Sequence, residues 1–277
     1  MPSAHAAHRP PLVEKTRTGT VVRPVRGEYL RQMLALGAFF GIGLAVSPPC
    51  ALLARWFRSR IAPERGQRLI QGLFGFWLKA SIRLGVFEIA FPEADRLRAL
   101  RGAILSPNHP SLLDAVILLA TVPRTVCIMR AGLINSPFLG GAARLAGYVT
   151  NDRGPALIRQ GLEKIAAGEN LLIFPEGTRT RTGAVNPFKN GFALIAAKSG
   201  APIQTIFIER ESPYLGKGVS LFAPHRLPFR YRIHLGPVVT AGSGESALQL
   251  AERLETEFCA RLENTGTSIR LTRPLPR

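Results

Sequence analysis

Acidic residues are scarce in this 277-residue chain: 18 Asp and Glu stand against 36 Lys and Arg, a formal charge of +18. Cysteine is nearly absent. Cys50, Cys127 and Cys259 sit at no metal-ligand spacing from one another, which excludes a disulfide framework, gives no zinc site and fits a reducing compartment. No glycine-rich nucleotide loop of the Walker or dinucleotide type occurs. No helix-turn-helix, zinc-finger or aromatic RNA-binding signature accompanies the positive charge. Charged residues of both signs reach only 19%, whereas 46% of the chain is hydrophobic. That composition fills a real core and rules out wholesale disorder and collagen-like structure. At this length one large domain with an arm is expected.

The excess charge calls for polyanionic partners, whether nucleic acid, an anionic membrane, an acidic carrier protein or a phosphorylated substrate. The first 100 residues hold 15 Lys and Arg against 6 Asp and Glu, so basic density is highest at the N-terminal end. The longest uncharged stretch, residues 33–54, lies there too, framed by Arg31 and Arg55 and followed by Trp56, Arg58 and Arg60. Such basic and aromatic flanks mark a membrane interface. Twenty-two helical residues span about 33 Å, enough for a bilayer core. Pro48 and Pro49 interrupt that count, so a kinked, half-inserted or interfacial helix is expected as readily as a clean span. The 32 residues ahead of the stretch, mostly polar, argue against a cleaved signal peptide. Residues 69–91 mix Leu73, Phe74, Phe76, Trp77, Leu78, Ile82 and Leu84 with Lys79 and Arg83, the pattern of a helix lying in the headgroup plane. The alternative for both segments is a pair of buried core helices.

Further on, short apolar runs at 102–106, 125–129, 170–174 and 202–209 read as strands, and segments 111–121, 137–146, 155–167 and 188–199 between them read as helices. A late strand at 230–235 and an amphipathic helix at 245–262 follow. Strand and helix alternation predicts an α/β fold: a mixed, largely parallel sheet flanked by helices, with an N-terminal membrane-associating helical segment. The chain divides into a basic mobile arm at 1–28, membrane-associating helices at 29–85, an α/β domain at 86–264 and a flexible tail at 265–277.

Two constellations carry chemistry. In Ser106-Pro107-Asn108-His109-Pro110-Ser111-Leu112-Leu113-Asp114, at a strand-to-helix junction, five residues separate His109 from Asp114. On one ideal helix they would lie on different faces. Pro110 at the first helical position would leave His109 outside the helix and let Asp114 reach back to it. A carboxylate on one imidazole nitrogen fixes the tautomer and frees the other nitrogen to take a proton from a hydroxyl. No serine or cysteine has a comparable setting for covalent catalysis, so direct attack by a substrate hydroxyl is the simpler scheme. The second constellation, Leu171 to Arg181, is a buried strand delivering Pro175-Glu176-Gly177-Thr178-Arg179. Gly177 permits close backbone approach, Arg179 can fork onto phosphate, and Glu176 can hold that guanidinium or accept from a substrate hydroxyl. A structural His–Asp pair and a turn carrying a Glu–Arg ion pair would leave the same traces.

Taken together and in this order, the segments resemble the glycerolipid acyltransferase family related to bacterial 1-acyl-glycerol-3-phosphate acyltransferase. Asn108, His109 and Asp114 match its Asn-His, four residues, Asp block, and residues 174–179 match its Phe-Pro-Glu-Gly-Thr-Arg block at every position. The stretch from Gly147 to Arg153, the Phe188-Lys189-Asn190-Gly191 turn and Gly200-Ala201-Pro202-Ile203 are similar to three further blocks. The resemblance covers residues 70–240. It implies His109 as general base oriented by Asp114, with Asn108, Arg153, Glu176, Gly177, Thr178, Arg179 and Lys189 binding the acceptor. It implies a fatty acyl thioester on coenzyme A or acyl carrier protein as donor, a lysophospholipid acceptor, no metal and no prosthetic group. It further implies a seat on the cytoplasmic face of the inner membrane among anionic lipids, with no nucleic acid partner. Pro110, Leu112-Leu113 and Gln204 depart from the phosphatidic-acid enzymes and leave the acceptor open between 1-acylglycerol-3-phosphate and another lipid alcohol such as lyso-ornithine lipid. A non-catalytic basic membrane- or nucleic-acid-binding protein and a thioester hydrolase are the competing readings. His225 and His234 read as packing or surface residues, and Cys127 as a small apolar one.

Overall fold

The computed structural model describes residues 13–16, 19–22, 26–57, 62–151, 154–181 and 183–264. Arg153, the C-terminal tail and part of the N-terminal arm lie outside them. Strands β1 (Val13–Thr16) and β2 (Gly19–Val22) pair antiparallel within the arm. Helix α1 (Arg26–Trp56) then runs unbroken through Pro48 and Pro49. Its 31 residues are about 46 Å long.

One face of α1 meets the protein. Gln32, Ala35, Ser47 and Cys50 on it are buried, at helical spacing, while Leu30, Leu34, Leu44 and Leu52 on the other are exposed. Helix α2 (Pro63–Arg83) opens with proline in its first turn and packs Ile70, Trp77 and Leu78 inward, leaving Phe76 exposed. The Trp77 indole donates to the Ala35 carbonyl at 2.8 Å and ties α2 to α1. The expected in-plane helix over 69–91 is therefore shorter. Gly85, at φ +67, turns the chain after α2, and β3 (Phe87–Ala90) enters the sheet with alternating burial.

The remaining elements are α3 (Ala94–Arg98), β4 (Ile104–Pro107), α4 (Leu113–Thr121), β5 (Thr125–Met129), α5 (Ala131–Ile134), α6 (Gly140–Leu145), β6 (Val149–Thr150), α7 (Gly154–Ala166), β7 (Asn170–Leu172), α8 (Gly191–Ser199), β8 (Ile203–Arg210), β9 (Phe229–Val239) and α9 (Ala247–Asn264). The seven-stranded sheet has the order β3-β9-β8-β4-β7-β5-β6. Every neighbouring pair is parallel except β8 and β9. Strands β4, β5 and β7 are buried along their whole length, as expected of a parallel sheet covered on both faces. This is the mixed, largely parallel architecture that the alternating pattern predicts.

Small residues let α1 dock closely on α6. The Gly141 amide donates to Ser47 Oγ at 2.9 Å, and a Cβ at Gly141 would stand 1.7 Å from the Ser47 carbonyl oxygen. β7 and β8 flank β4 on either side, so the chain segments leaving the C-terminal ends of all three converge. In an open α/β sheet that edge is where ligands bind.

Candidate active site

β4 ends at Pro107, and the next two residues open the site. The Asn108 amide donates to the Ile208 carbonyl at 2.9 Å and accepts from the Ile208 N–H at 2.7 Å, behaving like one more rung between β4 and β8. Asn108 thereby ties the strand end that carries His109 to β8. His109 follows in an irregular turn, and α4 begins only at Leu113, three residues later than a helix started by Pro110. The reason is Ser111. Its hydroxyl accepts from the Leu113 N–H at 3.1 Å and donates to Asp114 Oδ1 at 2.5 Å, while its own N–H donates to Asp114 Oδ2 at 2.7 Å.

Asp114 Oδ2 also stands 3.0 Å from His109 Nδ1, and its side chain is fully buried. A buried carboxylate that accepts three hydrogen bonds assigns the imidazole proton to Nδ1. Nε2 then carries the free lone pair. The ring is fixed from the side as well, stacked on Phe174 with 3.8 Å between centroids. Tyr231 of β9 is buried behind this network, where burial and then the Asp114 charge push its phenol up and the Ser111 side chain opposes them.

Glu176 joins the two sequence constellations. One oxygen accepts from the His109 N–H at 2.8 Å, the other from the Asn186 N–H at 2.8 Å, and the Thr180 hydroxyl reaches both at 2.9 Å. The Thr180 N–H returns a bond to the His109 carbonyl at 2.8 Å. Burial pushes the Glu176 carboxyl up, opposed by the Asn186 and His109 amides. The expected Glu176–Arg179 ion pair is absent among the described residues, since Glu176 is occupied holding the backbone around the site.

Arg179 turns instead to the 211–228 loop between β8 and β9, where Nη1 donates to the Leu215 and Gly216 carbonyls at 2.9 and 2.8 Å. Burial lowers its pKa, Asp114 opposes that, and Arg210 and Arg130 add to it. Gly177 adopts φ +66, and the Lys189 side chain lies across it: a Cβ there would stand 2.9 Å from Lys189 Cε. Thr178 accepts at 2.8 Å from Lys217 Nζ. His109, Asp114, Glu176, Gly177, Thr178, Arg179 and Lys189 thus gather at one edge, while Arg153 lies outside the described residues.

Sequence reasoning named Ser111 and Thr180 without a role and passed over Asn186, Arg130, Arg210 and Lys217. Ser111 had a local signal, a hydroxyl three residues before an Asp at a helix start, and Thr180 follows the 174–179 block directly. The others are brought in by tertiary folding and have no motif.

Comparison with known proteins agrees with the geometry. Residues 88–209 match the family model described as Acyltransferase. A Helicobacter pylori 1-acyl-sn-glycerol-3-phosphate acyltransferase is 37% identical over 108 residues, 36% of this chain and 46% of that protein. The Pseudomonas aeruginosa lyso-ornithine lipid O-acyltransferase is 29% identical over 226 residues, 76% of this chain and 81% of that protein. The chain spans from 30% to 48% of the length of three plant 1-acyl-sn-glycerol-3-phosphate acyltransferases that it matches. The crystal structure of the 1-acyl-sn-glycerophosphate (LPA) acyltransferase from Thermotoga maritima superposes with a TM-score of 0.64 at 21% identity, covering 89% of this chain and all of that one, and shows a shared fold. Both motif blocks fall inside the matched segment and meet across β4 and β7, so residues 88–209 carry the signature of the acyltransferase family.

Proposed function

We propose that the protein transfers a fatty acyl group from a thioester of coenzyme A or acyl carrier protein to the free hydroxyl of a lysophospholipid, with 1-acylglycerol-3-phosphate as the leading acceptor and phosphatidic acid as product. The observation that carries this reading is the His109–Asp114 pair, tied at Nδ1 and open at Nε2, beside a cation-rich turn. His109 Nε2 takes the hydroxyl proton as the acceptor oxygen attacks the thioester carbonyl. Collapse of the tetrahedral intermediate breaks the carbon–sulfur bond, and the imidazolium returns the proton to the leaving thiolate. Asp114 supports the imidazolium, and Arg179 with Lys189 faces the acceptor's phosphate. The chemistry requires no metal or prosthetic group.

An acceptor of this kind is a membrane lipid. Helix α1 exposes Leu30, Leu34, Leu44 and Leu52 and is apolar and long enough to cross a bilayer. With Phe76 exposed on α2 and Arg55 and Arg68 beside them, these helices would seat the protein on anionic lipid, the α/β domain facing the cytoplasm where thioester donors are made. A second acceptor, lyso-ornithine lipid, is favoured by the Pseudomonas relative, whose alignment covers 76% of this chain.

The test incubates detergent-purified protein and its His109→Ala variant with both thioesters and a panel of lysolipids, reading products by mass spectrometry. Acylated lysophosphatidic acid that vanishes in the variant is the expected result. Free fatty acid without acylated lipid would make the protein a hydrolase, and full activity in the variant would remove His109 as the base.

A further inference from the structure

The 211–228 loop lies beyond residue 209, where the match to the family model ends. It is nevertheless fastened to the site on one side and to α1 on the other. Leu215 adopts φ +62, uncommon for a residue with a branched side chain, and its carbonyl takes both the Leu112 N–H at 3.1 Å and Arg179 Nη1 at 2.9 Å. Gln32 of α1 holds the other arm, donating to the Ala223 carbonyl at 2.8 Å and accepting from the His225 N–H at 3.3 Å. Lys217 is therefore carried on an anchored segment.

Its ammonium rests 2.8 Å from Thr178 Oγ1, a neutral partner. No ion pair among the described residues involves Lys217, Arg179, Lys189, Arg181 or Arg130. Partial burial lowers the Lys217 pKa, and the charges of Arg181, Arg130 and Arg179 lower it further. Arg179 places only Nη1 on protein carbonyls, leaving Nε and Nη2 without a partner among the described residues. Arg179 is held by backbone carbonyls and Lys217 by a hydroxyl, neither ion-paired to a carboxylate among the described residues, an arrangement suited to taking an anion from outside.

We propose, resting on the acyl-transfer reading above, that Lys217 is an acceptor-specificity residue: with Arg179 and the Thr178 hydroxyl it binds the phosphate monoester of the acceptor lipid. A phosphate monoester carries close to two negative charges and three acceptor oxygens at neutral pH, which suits one forked and one point cation approaching from different elements. A zwitterionic headgroup would bring its own ammonium beside Arg179 and Lys217 and be repelled. Lys217 thereby selects lysophosphatidic acid over lyso-ornithine lipid.

Two measurements on the full chain test the proposal. In steady-state assays, Lys217→Ala raises KM for lysophosphatidic acid about tenfold, the loss of one charge-assisted hydrogen bond, with kcat within about twofold. The same variant loses much less on monoacylglycerol, which lacks the phosphate, and Lys217→Arg restores most of the KM. Equal losses on both acceptors would mean a structural role and overturn the proposal, as would a rise confined to the KM for acyl-coenzyme A. The second measurement is calorimetric binding of glycerol 3-phosphate, which needs no turnover: Lys217→Ala binds about tenfold more weakly than wild type, and equal affinity overturns the proposal. Failure of the acyl-transfer reading looks different, with no acylated lipid from any acceptor while the affinity difference for glycerol 3-phosphate persists.

Discussion

On the β4 side of the site the His109 N–H and Nδ1, the Ser111 N–H and hydroxyl and both Asp114 oxygens have protein partners, leaving His109 Nε2 open, whereas on the β7 side Arg179 and Lys217 have no ion-pair partner among the described residues. The first arrangement fixes an imidazole to within one orientation before substrate arrives. The second leaves donors of Arg179 and Lys217 open to an anion from outside. Preorganised dipoles and fixed tautomers act on the transition state, while open charge acts on binding, so substitutions on the two sides should separate kcat from KM.

Asp114→Asn is the largest expected break on the β4 side. An asparagine offers one acceptor oxygen where the carboxylate serves His109 Nδ1, the Ser111 N–H and the Ser111 hydroxyl. It also offers an amide donor that favours the wrong imidazole tautomer. The expected result is a fall in kcat of about 10²- to 10⁴-fold with the acceptor KM little changed. A rise in KM at constant kcat would show that Asp114 serves binding and would erase the contrast between the two sides.

Glu176→Gln tests the join between the sides. Its two oxygens receive the His109 and Asn186 N–H groups separately, so whichever end of the glutamine carries the amide nitrogen faces a buried N–H. Orphaning that donor should cost about 2 kcal/mol of unfolding free energy, read from denaturant melts. The pH dependence carries a sign. Burial raises the Glu176 pKa in the folded state, so between the ordinary carboxylate range and the raised value the folded protein binds more protons than the unfolded one. The contribution of this group to stability is present below that window and shrinks as pH rises through it. The stability advantage of wild type over the glutamine variant should therefore be greatest at the acid end. An advantage that grows with pH would mean that the backbone amides outweigh burial.

Arg179→Lys keeps the charge on the β7 side and removes the fork. A lysine cannot bridge the Leu215 and Gly216 carbonyls and still present donors to a phosphate. An increase of about tenfold in KM for lysophosphatidic acid is expected, with kcat nearly retained. If kcat falls instead, Arg179 acts on the transition state and the division of labour fails.

Parts of both sides differed in how far the sequence revealed them. His109, Asp114 and the 174–179 block are local: strand ends, a proline, a glycine and the spacing between them are visible in one dimension. The parallel sheet was legible for the same reason, since buried runs such as 125–129 are continuous and apolar. What escaped was set by tertiary contact. Lys217 reaches Thr178 across 39 residues of sequence from a loop without a motif. β3 is four residues inside an apolar stretch, too short for its alternation to stand out from the helix before it. α1 continues through Pro48 and Pro49, which cost it the bonds to the Leu44 and Ala45 carbonyls, and the close seat of Ser47 on Gly141 of α6 lies beside that point.

Gln32→Leu is the smallest expected effect, and it asks whether the open side depends on α1 at all. The side chain is 1% exposed and both ends of its amide are bonded, to the Ala223 carbonyl and the His225 N–H. Leucine fills similar space but leaves a half-buried carbonyl and a half-buried N–H without this partner, at a cost of about 1 kcal/mol measured by denaturant melts. The loop keeps its second anchor, because the Leu215 carbonyl still binds the Leu112 N–H and Arg179. The acceptor KM should accordingly rise by no more than about threefold, and kcat should hold, since His109 and Asp114 take no support from this loop beyond the Leu112 amide. A loss in kcat comparable to that of Asp114→Asn would instead show that the seating of α1 sets the catalytic turn, joining through Gln32 and Leu112 two regions that the hydrogen-bond pattern keeps apart.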